Sequence, residues 1–513
     1  MTISSESPAS ASGQFGDEPA TAILHSTAAS GDAATRAQIN TNDDREEVSG
    51  EFRNSVAILP FANISADPAN EYFCDGLAED LLNALTKIEN LKVAARTSAF
   101  HFKNKNVNVG EIGRTLGVSY VLEGSVRKAG NRLRISVQLV SAADGFHLWS
   151  ERFDREMEDI FDVQDEITLA VVDALKLKFF GEERSAMLKR GTRNTEAYQY
   201  YLKGRFHWNK RTGESLQEAV TFFSRAIELD PEYAVAHAGL AESYVLFNNY
   251  RVASAIDSMP QGKAAAIRAL KLDDSLAEAH NALGFVLSVY SWNQPASEKA
   301  YRRAIELNPK YPTAHHWLGG TCLLITGRFE EAIGEGKQAE KLDPLSPITS
   351  ADSGVNLFYA RRFNDAIDQF NRTLAIDKNF YFARYFLASC HHAMGEYPRA
   401  ISEYRRALEL SDDPLVQALL ARTLATLGSR DEASEIINGL TEDSGSRYIP
   451  PTAIALGLAA LGKKDEAFEL LDQEFKERGF NIAFSRVNPV FDDLRDDPRF
   501  DDLQDRIKVS VMN

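Results

Sequence analysis

Three cysteines in 513 residues, Cys74, Cys322 and Cys390, leave no room for a disulfide framework. Odd in number and far apart, they read as reduced thiols of a cytoplasmic protein. No stretch of about 18 apolar residues occurs, so no membrane-spanning helix is expected. Cations are in deficit: 57 Lys and Arg face 74 Asp and Glu, a formal charge of −17. Nucleic-acid affinity rests on Lys and Arg, so nucleic acid is not an expected partner. Residues 1–51 have few large apolar side chains and no periodicity, and are expected to form a disordered tail. They also lack the basic start and apolar run of a secretory signal. A Ser-rich, weakly charged leader also suits some secreted effectors, a subordinate expectation here.

What the chain has instead is a returning phrase, an apolar helix followed by a short acidic stop. RAIELDP ends at Pro231, RALKLDD at Asp274, RAIELNP at Pro309, QAEKLDP at Pro344, RTLAIDK at Lys378 and RALELSD at Asp412. The intervals are 43, 35, 35, 34 and 34 residues, and about 34 is the tetratricopeptide period. Each such unit is a pair of antiparallel helices whose apolar stripe only a neighbour can cover. Small residues mark the close crossings: Gly284, Gly319, Gly354 and Ala388 on first helices, and Ala304, Ala339, Thr373 and Ala407 on second helices. Six units are clear, and two weaker ones follow at Leu415 to Leu440 and Tyr448 to Arg478. The long interval falls at Asn248 to Pro260 and reads as a plain insertion. Lys310, in a turn, is expected to matter within about 0.5 kcal/mol.

Residues 55–180 alternate strand and helix signals. SVAILPF (Ser55 to Phe61) and Leu91 to Ala95 suit short buried strands, with a helix from Glu71 to Ile88 between them. Tyr120 to Lys128, Leu133 to Val140 and Phe146 to Phe153 read as hairpin strands separated by Gly-containing turns. In the middle one Leu133, Ile135, Val137 and Leu139 share one face. A helix from Asp159 to Phe180 closes an α+β domain with an antiparallel sheet, expected to stand apart from the repeats with a hinge near Gly181 to Asn194.

The strings SVAILPFANISADPANEYFCDGLAEDLLNAL, LGVSYVLEGSVRKAGNRLRISVQLV and GFHLWSERFDREMEDIFDVQDEI resemble the TolB amino-terminal-like domain of bacterial multidomain regulators. VNPVFDDLRDDPRFDDLQDRI (Val487 to Ile507) is similar to the carboxyl end of the same proteins. In that family the domain lies between an effector, often a cyclase or a winged-helix domain, and a tetratricopeptide array. The residues before Ser55 match neither effector, so the resemblance does not bring an enzymatic or DNA-binding role with it. The expected organisation is therefore a tail (1–51), an α+β domain (52–182), an all-α tetratricopeptide solenoid (183–480) and a cap (481–513).

In similar arrays the second, fifth, ninth and twelfth positions of each first helix line the concave groove. Aligned on the small residue at position eight, these include Asn281, Phe285, His316, Leu323, Val355, Phe358, Phe382, Tyr385 and His392. Few cations fall there, so an apolar or amphipathic protein segment is the expected partner. No cofactor or metal is expected. GLAALGKK (Gly457 to Lys464) ends in Lys where a P-loop needs Ser or Thr and follows no strand. Adjacent histidines, as in His315-His316 and Cys390-His391-His392, point about 100° apart on a helix and converge poorly on one ion. The chain thus reads as a non-enzymatic adaptor or regulator. The alternatives are a regulatory subunit of a cyclase-type enzyme carried on another chain, or a secreted effector.

Overall fold

The computed structural model describes residues 54–177 and 191–510. The expected tail and most of the expected hinge lie outside them. Strand β1 (Ser55–Ile58) leads through β2 (Ala62–Asn63) into helix α1 (Glu71–Thr86). Then come β3 (Lys92–Val93), α2 (Arg96–Phe100) and α3 (Val109–Leu116). Three ten-residue strands follow, β4 (Tyr120–Ala129), β5 (Arg132–Ser141) and β6 (His147–Glu156), and α4 (Ile160–Ala174) closes the region. Gly117, at φ +62°, ends α3 in the left-handed conformation that a residue without Cβ adopts most readily.

The sheet order is β3-β1-β4-β5-β6, and β2 pairs with the far half of β4. The sheet is mixed, which corrects the antiparallel expectation. β1 pairs parallel to both β3 and β4, whereas β4, β5 and β6 form an antiparallel meander. The reason lies in the connections: tight turns join β4, β5 and β6, but a helical crossover separates β1 from β3, and such a crossover returns the chain parallel. Leu133, Ile135, Val137 and Leu139 are all buried on the helix-covered face, as their alternation predicts.

Eight helix pairs follow among the described residues, from Thr195–Lys210 with Gly213–Leu229 to Pro451–Ala460 with Lys464–Glu477. The fold is an α+β region followed by a tetratricopeptide solenoid. Small residues sit at the crossings: a Cβ on Gly354 would lie 2.5 Å from the Phe370 ring, and one on Gly284 2.9 Å from Tyr301. Ala304 is fully buried against Ala277 and Ala314.

The sheet region shares its apolar core with the first repeat helix. Tyr198 and Leu202, on the first repeat helix α5 (Thr195–Lys210), belong to the same apolar core as Phe73, Leu77 and Ile167. Two repeat turns also reach across. Lys310 Nζ donates to the carbonyls of Leu91 (2.8 Å) and Ile88 (3.3 Å). Asp343, in an acidic-Pro stop, accepts from Ser98 Oγ (2.6 Å) and Ser98 N–H (3.0 Å).

These contacts reverse the low value given to Lys310. Lys310→Ala should cost about 1–3 kcal/mol, as expected when buried carbonyls lose a charged donor. Ala304→Arg, which forces two helices apart, should cost about 1–3 kcal/mol or more. Denaturant midpoints measure both, and an unchanged midpoint for Lys310→Ala would show that the sheet region is not fastened at this turn.

Candidate functional site: a chamber on the concave face

The insertion in the second repeat shortens to a loop, because the helix Ala255–Leu272 begins within it. That loop reaches across the superhelix. Asn248 Nδ2 donates to Tyr448 Oη (2.9 Å), and Asn248 Oδ1 accepts from the N–H of Phe480 (3.0 Å). Arg251 lies 3.5 Å from Asp413. The carboxyl segment folds back over the same side: Phe480 stacks on Phe285, Phe484 meets Tyr359 edge-on, and Arg478 donates to the Tyr290 carbonyl (3.0 Å). Arg361 forms a bidentate pair with Asp492, and Arg422 pairs with Asp493. The concave groove expected from the repeats is thus bridged by the chain itself.

What remains is a cavity of about 1740 Å³ lined by the sheet region, the first helices of the repeats and the carboxyl segment. Phe285, His316, Val355, Phe382 and Tyr385 line it, as do Glu242, Glu278, Ile348 and Ser389. They occupy the second, fifth and ninth positions, which lie within about 60° of one another on a helix. Position twelve does not belong with them. It lies about 40° from the small residue at position eight but only about 20° from position five, so its facing is set by how the neighbouring helices pack on it. Leu323 and Phe358 are accordingly 1% exposed in the core, Phe358 packing against Phe363 and Phe386. His392 shares a hydrogen bond with Thr423 (2.9 Å), and burial lowers its pKa to about 3. Asn281, at position five, is fully buried away from the chamber.

Sequence reading missed the cations. Arg205, Arg211 and Arg251 all line the cavity, from positions outside the groove consensus. Arg205 joins the sheet region to the array. It donates to Glu79 Oε1 (3.1 and 3.2 Å) and to Glu242 Oε2 (2.9 Å). Glu79 also accepts from Arg96 (2.6 Å), and Glu242 from Tyr311 Oη (2.9 Å). Burial opposes the charge on both carboxylates. Two guanidinium groups outweigh it at Glu79, whose pKa falls, but not at Glu242, whose pKa rises. Nearby, burial pushes Asp80 up to about 7 even though it accepts from Tyr198 Oη (2.5 Å) and Gln164 (3.0 Å).

Arg211 differs from the other two. Its guanidinium lies 3.6 Å from the centre of the Trp208 ring, and no carboxylate pairs with it among the described residues. Trp208 Nε1 and Asn249 Oδ1, both on chamber-lining residues, are buried without a hydrogen-bond partner among the described residues. This wall therefore offers a cation, a donor and an acceptor beside aromatic surface.

The other sequence candidates have structural partners. His315 bonds Glu335 (2.6 Å), His316 bonds Asp352, and His391 bonds Glu396 (2.8 Å). Gly457 is a crossing point, where an added Cβ would lie 2.1 Å from Ile437. All three cysteines are buried, and burial pushes their thiol pKa values up. Among the described residues no helix is long and apolar enough to cross a membrane.

Comparison with known proteins matches residues 52–170 to the family described as HilA/YgeH-like transcriptional regulator, second domain. Residues 295–347 and 357–423 match tetratricopeptide repeat families. The amino-terminal region is thus similar to a regulator's second domain; the match does not bear the TolB name that the sequence strings suggested. The chain is 40% identical over 235 residues to a Rhizobium meliloti (strain 1021) protein named "Putative adenylate cyclase 3", covering 46% of this chain and 40% of that protein. It is 26% identical over 168 residues to transcriptional regulator HilA of Salmonella typhimurium, covering 33% and 29%. The chain spans 40% or less of the length of these two relatives. A solved structure of Pseudomonas aeruginosa pilF is 21% identical with a TM-score of 0.32, covering 42% of this chain and 92% of that one.

Proposed function

We propose that this chain is a non-enzymatic adaptor or regulator in bacterial signalling whose chamber receives an extended segment of a partner protein. The observation that carries the reading is the chamber wall, where aromatic side chains from successive repeat helices stand beside Arg211, which has no carboxylate partner among the described residues. Tetratricopeptide proteins bind protein or peptide partners, and a bridged concave face suits an extended strand of chain better than a bulky helix. Phe382, Tyr385, Val355, Phe285 and His316 would supply apolar contact, and Arg211 would meet a carboxylate of the segment. Residues 52–182 serve in this reading as a sensing or docking module, akin to the TolB-like domains, ahead of the repeats (183–480) and the cap (481–513). A cytoplasmic location fits the three thiols.

Affinity capture with the full chain and with Arg211→Gln tests the reading. Loss of a partner by Arg211→Gln, with an unchanged thermal melt, is the expected result, at about tenfold or more in affinity for a lost charge-assisted contact. Equal capture by both proteins would remove Arg211 from the site. The second reading, a regulatory subunit of a cyclase-type enzyme on another chain, is favoured by the 40% identity to the Rhizobium protein. Recovery of a partner with a cyclase catalytic domain would select it.

A further inference from the structure

Among the described residues strand β6 ends the sheet, with β5 on one side and no strand on the other. Eight of its ten residues are exposed, Leu148 at 43% among them, and the adjoining Phe146 is 73% exposed. A long, uncovered edge strand is a template for another strand unless its side chains forbid pairing.

The outward-facing backbone can be identified. The N–H of Met157 donates to the carbonyl of Asn131 (2.8 Å), and β5 pairs with β6 so that Arg132 lies opposite Glu156. Since peptide groups alternate along a strand, those of Phe153 and Arg155 face β5. Those of Ser150, Arg152, Asp154 and Glu156 face outward.

The side chains then decide what can pair there. The edge reads Glu151-Arg152-Phe153-Asp154-Arg155. When a strand pairs antiparallel with its own copy about a two-fold axis normal to the sheet, the central residue meets itself. Centring on Glu151, Arg152, Asp154 or Arg155 sets a charge opposite its own copy, which is destabilising. Centring on Phe153 does the reverse. It sets Arg152 opposite Asp154 and Glu151 opposite Arg155, each twice, with Trp149 opposite Met157. The outward-facing peptides of Arg152 and Asp154 become the hydrogen-bonded pair. Pairing exchanges contacts within the chain: Asp154 pairs with Arg134 (2.7 Å) and Arg152 (3.2 Å), and its carbonyl accepts from Arg155 Nη1 (3.1 Å). These partners sit at the surface, the Arg152 side chain 64% exposed and that of Arg155, beside Glu166, 41% exposed, so they can be released to a second copy.

The geometry points to a homodimer in which β6 pairs antiparallel with β6 of a second copy, centred on Phe153, to form one continuous sheet. Sedimentation velocity on the full chain and two single variants tests it. Wild type is expected to dimerise. Glu151→Arg sets Arg opposite Arg155, and Arg155→Glu sets Glu opposite Glu151, so each alone should associate at least about tenfold more weakly. Mixed in equal amounts, the two variants regain both opposite-charge pairs and should form a heterodimer of wild-type strength. Both positions are exposed, so circular dichroism melts should match wild type. A monomeric wild type overturns the proposal, and so does an edge that pairs only with a strand of another protein. A dimer indifferent to both substitutions, or folded variants that fail to rescue one another, overturns it as well.

Discussion

Arg205→Met should destabilise the protein by about 3–5 kcal/mol, the usual consequence of removing one partner from a buried ion pair. Arg205 touches two carboxylates, and their fates differ once it is gone. Glu79 keeps Arg96 at 2.6 Å and Asn209 at 3.2 Å. Glu242, 1% exposed, keeps the Tyr311 hydroxyl and the more distant charge of Arg211, with Glu278 raising its pKa further. Most of the loss should therefore come from Glu242 as a buried and poorly compensated charge. Adding Glu242→Gln to Arg205→Met should recover a large part of it, since a neutral amide still accepts from Tyr311. Urea denaturation of wild type, single and double variants measures the coupling. A single variant within about 0.5 kcal/mol of wild type would mean that this junction holds nothing together.

Phe358→Ala should be of similar size, about 3–5 kcal/mol, as for a large aromatic removed from a packed core. Its ring lies against Tyr359, Phe363 and Phe386, from its own repeat and the next, at centroid distances of 5.6 to 5.9 Å. Collapse into the void would need three aromatic rings to move together. Phe358→Leu keeps most of the volume and should cost less than about 1.5 kcal/mol. Thermal melts separate the two substitutions. Were Phe358→Ala to leave the melt unchanged while abolishing partner capture, Phe358 would belong to the binding surface after all, as its place in the repeat first suggests.

The fate of Phe358 and Tyr385 shows how far the sequence carried. Repeat phase was legible because one physical requirement, a small residue where helices cross, recurs at a fixed interval and leaves Gly354 and Ala388 in register. From that phase the facing of Val355 followed, about 100° from the crossing, and that of Tyr385, about 60° from it, less firmly. Position twelve is intermediate in angle, and only the bulk of the next repeat decides it. The β5 face was legible for the same reason as the repeats, through a strict alternation. Lys310 and Asp343 were not, because a turn residue satisfies the repeat pattern whether or not something docks on it. Asn248, Arg251 and Arg211 left no signal at all. They lie in an insertion or at a helix end, where no periodicity constrains them, and the partners of Asn248 and Arg251 are far away in sequence.

That distance has a temporal consequence. Asn248 bonds Tyr448 and Phe480, which are 200 and 232 residues downstream. At about 5–20 residues per second, the ribosome needs roughly ten to fifty seconds to deliver them. Throughout that interval the early repeats can stack, nearest neighbour upon nearest neighbour, while their inner wall stays uncovered. In the proposed role, a partner segment encountered during synthesis would meet that uncovered wall and be enclosed as the last helices arrive. One encountered afterwards has to pass a finished rim. Order of synthesis thus becomes a variable of assembly, and co-expression and mixing of purified components are different experiments for this protein.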